Sequence, residues 1–229
     1  KMQKSLIISR FNEDISWLED IKDFKIIIYN KGQKLSNKKF TNIINLNNVG
    51  RESHTWLYHI VKNYNDLDDV MIFLQGRIDD LGCMAFSDPH DYLKLVDKFG
   101  FVASRYGMLS PLHWGWNVGI ENNKKYRENW NSGKISRSNI GFRNFAKELF
   151  PNMPKLVPTS YGGCFAIKKE LIKNYKKDFY KNLLNILKKH ENPIEGHYLE
   201  RLWCYMFTKN KLFKKAISDV IRTKIERYL

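Results

Sequence analysis

The sequence predicts an α/β fold: one domain with a mainly parallel sheet flanked by helices. Three observations carry this expectation. Short β-branched apolar runs recur along the chain, stripes of apolar residues at helical spacing separate them, and polar stretches containing glycine follow the runs directly. Alternation of this kind implies parallel strands with helices on the sheet's faces. A chain of 229 residues is long enough to bury a core without disulfides or structural metal.

The elements follow in order. "SLIISRF" (5–11) and "FKIIIY" (24–29) read as strands, with Ile15, Leu18 and Ile21 at helical spacing between them, a β-α-β opening. "TNIINL" (41–46) is a weaker strand. After it, Trp56, Leu57, Ile60, Val61 and Tyr64 form one helical stripe, and "VMIFL" supplies the next strand. The stretch 83–155 is less regular, with a helix at "PHDYLKLVDKF", a strand at "FVASRYG" and a long polar, basic segment at 114–139. A long loop inside a compact domain is usually functional. "YGGCFAI" brings a glycine pair into a further strand, and helices follow near 169–189, 197–208 and at the C-terminus. The expected organisation is a single domain in three parts: a first half (1–82), an irregular insertion (83–155) and a second half with C-terminal helices (156–229).

Composition narrows the function. Lys and Arg outnumber Asp and Glu by 39 to 24, a net charge of +15, which favours polyanions, phosphorylated ligands or anionic surfaces. Residues 209–229 predict a basic amphipathic helix, with peripheral membrane contact as one use and packing on the domain as the other. The absence of a signal-like or membrane-spanning apolar run, and three cysteines (Cys83, Cys164, Cys204) without CxxC spacing, predict a cytoplasmic protein with neither a disulfide framework nor a zinc site.

No GxxxxGK[ST] or GxGxxG stretch is present, which removes the common phosphate-loop classes. Instead, polar residues follow each predicted strand: Arg10, Asn12 and Glu13; Asn30, Lys31 and Gly32; Asn48, Gly50, Arg51 and Glu52; Gln75, Gly76, Asp79 and Asp80. In a parallel sheet those ends share one rim, where open α/β sheets bind ligands. "NVGRE" opens a helix, so its first-turn N–H groups and the Arg51 guanidinium suit a pyrophosphate. The structural alternative is Asn48 as helix cap and Glu52 as complement to the helix dipole.

"SRFNEDISWL", "IYNKG", "NVGRESHTWLYHIVKNYNDLDDVMIFLQG", "YGGCFAI" and "YLERLW", in that order, resemble a family of glycosyltransferase-like proteins, which in turn resembles the GT-A nucleotide-sugar transferases. The resemblance covers most of the chain outside 83–155, and it implies that 1–82 is the nucleotide-binding half and 156–229 the acceptor half. It implies a GT-A-like, Rossmann-like sheet that binds a nucleoside diphosphate sugar, UDP- or GDP-linked, and transfers the sugar to an acceptor hydroxyl, with inversion. It places the nucleotide on Arg10, Asn12, Glu13, Asn30 and Lys31, and the diphosphate near Asn48, Gly50, Arg51, Gln75 and Gly76. Where GT-A enzymes carry a metal-binding Asp-x-Asp, this chain reads "LQG", with Asp79 and Asp80 following. Mn²⁺ or Mg²⁺ held there, and neutralisation by Arg51, Arg77 or Lys31, are both open. The literal Asp-x-Asp, Asp66 and Asp68, precedes the strand and reads as a solvated turn. Gly162, Gly163 and His197 fall on the acceptor side. Where inverting enzymes carry a Glu-Asp pair, Glu195 is followed by Gly196, so Glu200, on the border of the next helix's apolar stripe, is the expected general base and Glu195 the second candidate.

Two rivals belong to other classes. A basic, aromatic-rich chain could bind nucleic acid, although no known nucleic-acid motif is visible and the aromatics fall on predicted core stripes, so no nucleic-acid partner is expected. A catalytically inactive nucleotide- or sugar-binding module is the other, if Gln75 and Gly196 mark lost catalytic groups.

Overall fold

The computed structural model describes residues 2–35, 39–78, 86, 88–109 and 123–208. Among them are β1 (Lys4–Arg10), a 3-10 helix (Ser16–Asp20), β2 (Lys25–Asn30), β3 (Ile43–Asn45), α1 (Arg51–Lys62), β4 (Val70–Gln75), α2 (Pro89–Phe99) and β5 (Phe101–Leu109). There follow α3 (Lys124–Asn131), α4 (Phe142–Leu149), β6 (Val157–Lys168), α5 (Lys169–Lys173), α6 (Lys177–Leu187) and α7 (Ile194–Thr208). The six strands form one sheet in the order β3-β2-β1-β4-β6-β5. β1 runs parallel to β2 and β4, and β2 to β3, while β6 runs antiparallel to both its neighbours. The expected α/β class is therefore observed.

Period-two alternation sends each strand's apolar residues to opposite faces. Ile7, Met71, Phe73, Phe165 and Ile167 join the core beneath α1, α4, α6 and α7. Leu6, Ile8, Ile72, Leu74 and Ala166 join the one beneath α2 and the 3-10 helix. Covered on both faces, β4 is apolar from Val70 to Leu74, which is why "VMIFL" shows no alternation.

The 14–21 segment departs from expectation: Leu18 is buried on a short 3-10 helix (Ser16–Asp20) with the buried Ile15 at its N-cap, not on an α-helix. Within 114–139, α3 is an element the sequence did not announce. Its polar, basic face buries no residue, so it lacks the apolar stripe that identifies a helix. Cys164 is disulfide-bonded and Cys204 is a buried free thiol, correcting the expectation of unbridged cysteines; an odd count leaves room for both. No helix among the described residues is long and apolar enough to cross a membrane. The predicted C-terminal basic helix lies outside the described residues.

Gly32 shows how tightly the loops after β1 and β2 are packed. A Cβ there would overlap the Phe11 carbonyl oxygen and the Asn12 side chain. Gly32→Ala is expected to destabilise the protein by about 1–3 kcal/mol, the scale of a forced overpacking shift, measured as a lowered denaturant midpoint. An unchanged midpoint would mean that these loops yield freely.

Candidate functional site

The carboxyl ends of β1, β2 and β4 open into a cavity of about 480 Å³. Strand register builds its rim: Arg10 stands opposite Asn30, Ser9 opposite Gln75, and Asn30 opposite Asn45. The Arg10 guanidinium stitches the loops together, donating to the Asn30 side chain (2.6 Å) and to the carbonyls of Glu13 (3.0 Å) and Gln33 (3.2 Å). Asn30 in turn donates to the Gln33 carbonyl (3.1 Å) and to Asn45 Oδ1 (3.1 Å), and Asn12 accepts the Gln33 N–H (2.8 Å). The Glu13 carboxylate accepts the Phe11 N–H at 2.6 Å. Phe11 itself lines the cavity with its side chain 47% exposed, the one exposed aromatic residue among the described residues.

Two features hold the far wall. Gly50 (φ 64°) and Arg51 (φ 50°) are both left-handed, and Arg51 is the one non-glycine residue of positive φ among the described residues. Such a conformation costs an L-residue on the order of 1 kcal/mol and persists only where its surroundings impose it. Here they do: the Gly50 and Arg51 N–H groups donate to the carbonyls of His190 and Glu191, and Lys31 Nζ donates to the carbonyls of Val49 and Arg51. These partners correct one expectation, since the Arg51 N–H is not available to a ligand. Asn48 lines the cavity but does not cap α1, whose N-cap is Gly50. Lys31 is buried, and desolvation lowers its pKa to about 7.

The Arg51 guanidinium faces Glu52 (Nε to Oε2, 3.4 Å) and His197 (Nη1 to Nε2, 3.5 Å). Glu52 is the largest influence on Arg51 and holds it firmly protonated. His197 is 8% exposed, also meets Asn192 Oδ1 (3.0 Å) and the Tyr126 hydroxyl (3.4 Å), and is held neutral, its pKa lowered to about 3 by burial and by Arg51 and Arg201.

Gly162 and Gly163 form a second node beside the cavity. Both have positive φ, at 88° and 71°, and a Cβ on Gly163 would press on the Glu52 side chain. The Gly162 N–H donates to Glu200 Oε1 (2.7 Å), its carbonyl accepts from Gln75 Nε2 (3.4 Å), and the Gly163 carbonyl accepts from Trp56 Nε1 (2.9 Å). Burial raises the pKa of Glu200, reinforced by Glu52 and opposed by Arg201, the Gly162 N–H and Arg51.

Of the donor-side residues named from sequence, Arg10, Glu13, Lys31, Asn48, Arg51 and Gln75 line the cavity. Asn12, Asn30, Gly50 and Gly76 stand behind them as loop scaffolding. Glu200 and His197 flank the cavity without lining it, and Glu195 sits in the first turn of α7. Asp79 and Asp80 lie outside the described residues. Asp68 is not solvated: it is buried and paired with Lys25 (3.3 Å), just before the amino end of β4, away from the cavity. No group of three or more His, Cys, Asp or Glu that could hold a metal occurs among the described residues. Sequence reasoning missed Phe11, taken as a strand residue, and Lys134, Glu191 and Asn192, which reach the cavity through the Ser136–Pro193 bridge and carry no local signal.

The fold and this rim define a Rossmann-like α/β protein with a polar cavity at the carboxyl edge of its sheet. A family model described as a protein of unknown function (DUF3431) matches residues 6–220, and the chain belongs to that family. No curated protein matches it.

Proposed function

We propose that the chain is a glycosyltransferase that binds a nucleoside diphosphate sugar in the rim cavity and passes the sugar to an acceptor hydroxyl. The observation that carries this reading is the convergence of Arg10, Glu13, Lys31, Asn48, Arg51 and Gln75, all expected on the donor side, on one cavity. Phe11 adds an exposed aromatic face on which a nucleobase can stack, and about 480 Å³ suits a ligand of nucleotide size. Arg51, with Glu52 fixing its orientation, is the cation best placed for a diphosphate. Glu200 serves as general base: burial makes it more basic, while Glu52 is committed to Arg51.

Nucleic acid is the weaker reading, because the aromatic residues other than Phe11 are buried or half-buried among the described residues and offer no stacking platform. The disulfide at Cys164 favours an oxidising compartment over the cytoplasmic location expected from the cysteine count.

Calorimetric titration with UDP and GDP tests the placement. Binding is expected for one of them, and Arg51→Ala should weaken it by about 1.5 to 3 kcal/mol, the scale of a hydrogen bond to a charged group. Arg51→Lys should lose affinity too, because an ammonium does not reproduce the planar fork. Unchanged affinity in both variants would move the diphosphate elsewhere. If Mn²⁺ strengthens binding, Asp68→Asn should leave that response intact, since Asp68 is engaged by Lys25 away from the cavity.

A further inference from the structure

Lys31 stands where β2 ends and the rim cavity begins, lining the cavity while only 8% exposed. Its backbone N–H donates to the Arg10 carbonyl (2.8 Å), which fixes the point where its side chain leaves the sheet. Nζ then donates to the carbonyls of Val49 and Arg51, on either side of the left-handed Gly50. An ammonium carries three N–H groups, and the third has no partner among the described residues. A neutral amine carries two, which the two carbonyls use up. Nor does any carboxylate among the described residues form an ion pair with Lys31: Glu52 acts on it from a distance and is itself engaged by Arg51 (3.4 Å). Taking such a group out of water disfavours its charge, and carbonyls that the amine satisfies equally well do not restore it. Burial accordingly lowers the Lys31 pKa to about 7, with Glu52 opposing the shift. The other charged or titratable groups around it are Arg51 and His54 on α1, Arg10 and Glu13 at the end of β1, Lys134, and His190 and Glu191 in the loop that holds Gly50 and Arg51. Of these, Arg51 is firmly protonated and His54 is held neutral, its pKa lowered to about 4.

We infer that Lys31 couples the rim cavity to a proton: an anionic ligand enters together with one proton, which turns the amine into the ammonium whose third N–H meets the anion. The inference rests on the transferase reading and deepens it by naming a regulation of the same site, the release of the donor's diphosphate as pH rises. The Gly50–Arg51 turn does not depend on the proton, because the amine keeps both carbonyl bonds. Below about pH 7 the free protein already carries the proton. Above it, binding must draw the proton from solution, so affinity falls by up to about tenfold per pH unit until the pKa of ligand-bound Lys31 is reached. The ligand does not cause this trend, since a terminal phosphate completes its last ionisation at about pH 6, below the window.

Calorimetric titration of the full chain with UDP and GDP between about pH 6.5 and 8.5, in two buffers of different ionisation enthalpy, counts the protons taken up. The nucleotide that binds should take up most of one proton at the alkaline end and lose at least about tenfold in affinity across the range. Lys31→Arg carries a fixed charge and Lys31→Met carries none, so neither should follow pH in this window, and Lys31→Met should bind weakly throughout. Should Lys31→Arg fail to fold, Lys31→Met carries the comparison, and the wild-type proton count needs no variant. A lysine that merely ties the turn would weaken binding in both variants while the wild type takes up no proton. That result, or proton uptake that persists in Lys31→Met, overturns the inference. Sulfate, an anion that does not titrate in this window, separates the two readings. Sulfate bound with proton uptake, and neither UDP nor GDP bound, leaves a proton-coupled anion cavity and removes the transferase. A nucleotide bound without proton uptake removes this inference and leaves the transferase, and binding of none of the three removes both.

Discussion

Glu200→Gln is expected to lower sugar transfer by about a hundred- to ten-thousand-fold while leaving nucleoside diphosphate binding intact, the range a positioned general base contributes. Glutamine keeps the size of the side chain and can still accept the Gly162 N–H through its carbonyl oxygen, so the glycine node should survive. What it removes is the basic carboxylate that burial has made a stronger proton acceptor. Glu52→Gln gives the contrast. Glu52 orients Arg51, so its loss should weaken diphosphate binding first and reduce turnover chiefly at low donor concentration. Single-turnover rates and diphosphate affinities for both variants check the assignment. If Glu200→Gln keeps most of its transfer rate while Glu195→Gln or Glu52→Gln loses it at saturating donor, the base is one of the latter. A product that retains the donor's anomeric configuration would sink the single-displacement scheme.

Acid should unfold this protein early, through three buried histidines. His54, His59 and His197 are 8%, 2% and 8% exposed, and their pKa values are lowered to about 4, 3 and 3. Burial is the main cause for each, aided by Lys31 beside His54, Lys25 beside His59, and Arg51 and Arg201 beside His197. In the unfolded chain these rings take up protons near pH 6.5, while in the folded chain they stay neutral. The unfolded state therefore binds more protons below that pH, and the stability present above pH 6.5 is lost as pH falls towards 4 and 3. Each histidine contributes a slope of up to about 1.4 kcal/mol per pH unit, so three together remove about 4 kcal/mol per unit at the steepest. Against a typical total of about 5–15 kcal/mol, that brings unfolding to mildly acidic pH. His90 works in the opposite sense, its pKa raised by Asp88 and Asp23, but it is exposed and its effect is screened. Urea denaturation across pH 7 to 4 checks the expectation, and the same midpoint at pH 7 and pH 5 would refute it. His54→Phe should flatten the slope by about one proton, because its Nδ1 has no partner and its ring packs against Tyr58.

The sheet was legible because its signal is local. β1, β2 and β4 are short apolar runs ending in polar residues, and parallel pairing brings those ends to one edge. That rule alone gathers Arg10, Lys31, Arg51 and Gln75, from four separate stretches, around one cavity. The parts that stayed hidden depend on contacts that leave no periodic trace. Phe11 closes the stretch 5–11 that reads as a strand, and its residue type alone does not separate an exposed rim aromatic from a core residue. Glu52 sits where a carboxylate complements a helix dipole, which masks its pairing with Arg51. Lys134 and Asn192 are 58 positions apart and meet through the Ser136–Pro193 bridge. α3 packs no buried residue, so its helical period has no hydrophobic marker.

The reversed direction of β6 sets when the site can come into being during folding. Running against β4, the strand presents Gly162 and Gly163 at the carboxyl edge, where they bond to Trp56 across 107 positions, to Gln75 across 87 and to Glu200 across 38. Closing loops of that length precedes any reward from the contacts they permit, so such pairings form late. The first four strands can pair as a local parallel unit while the chain beyond Gln75 is still unstructured. The rim loops after β1 and β2 can then form, yet Glu200 has no Gly162 to meet until β6 slots between β4 and β5. Because the loop before α7 supplies the carbonyls that hold the Gly50 and Arg51 N–H groups, a nascent chain lacking its last third holds Arg10, Lys31 and Gln75 without Glu200 and without that anchored turn. Assembly order thereby completes the walls of the rim cavity only once β6 and α7 are in place.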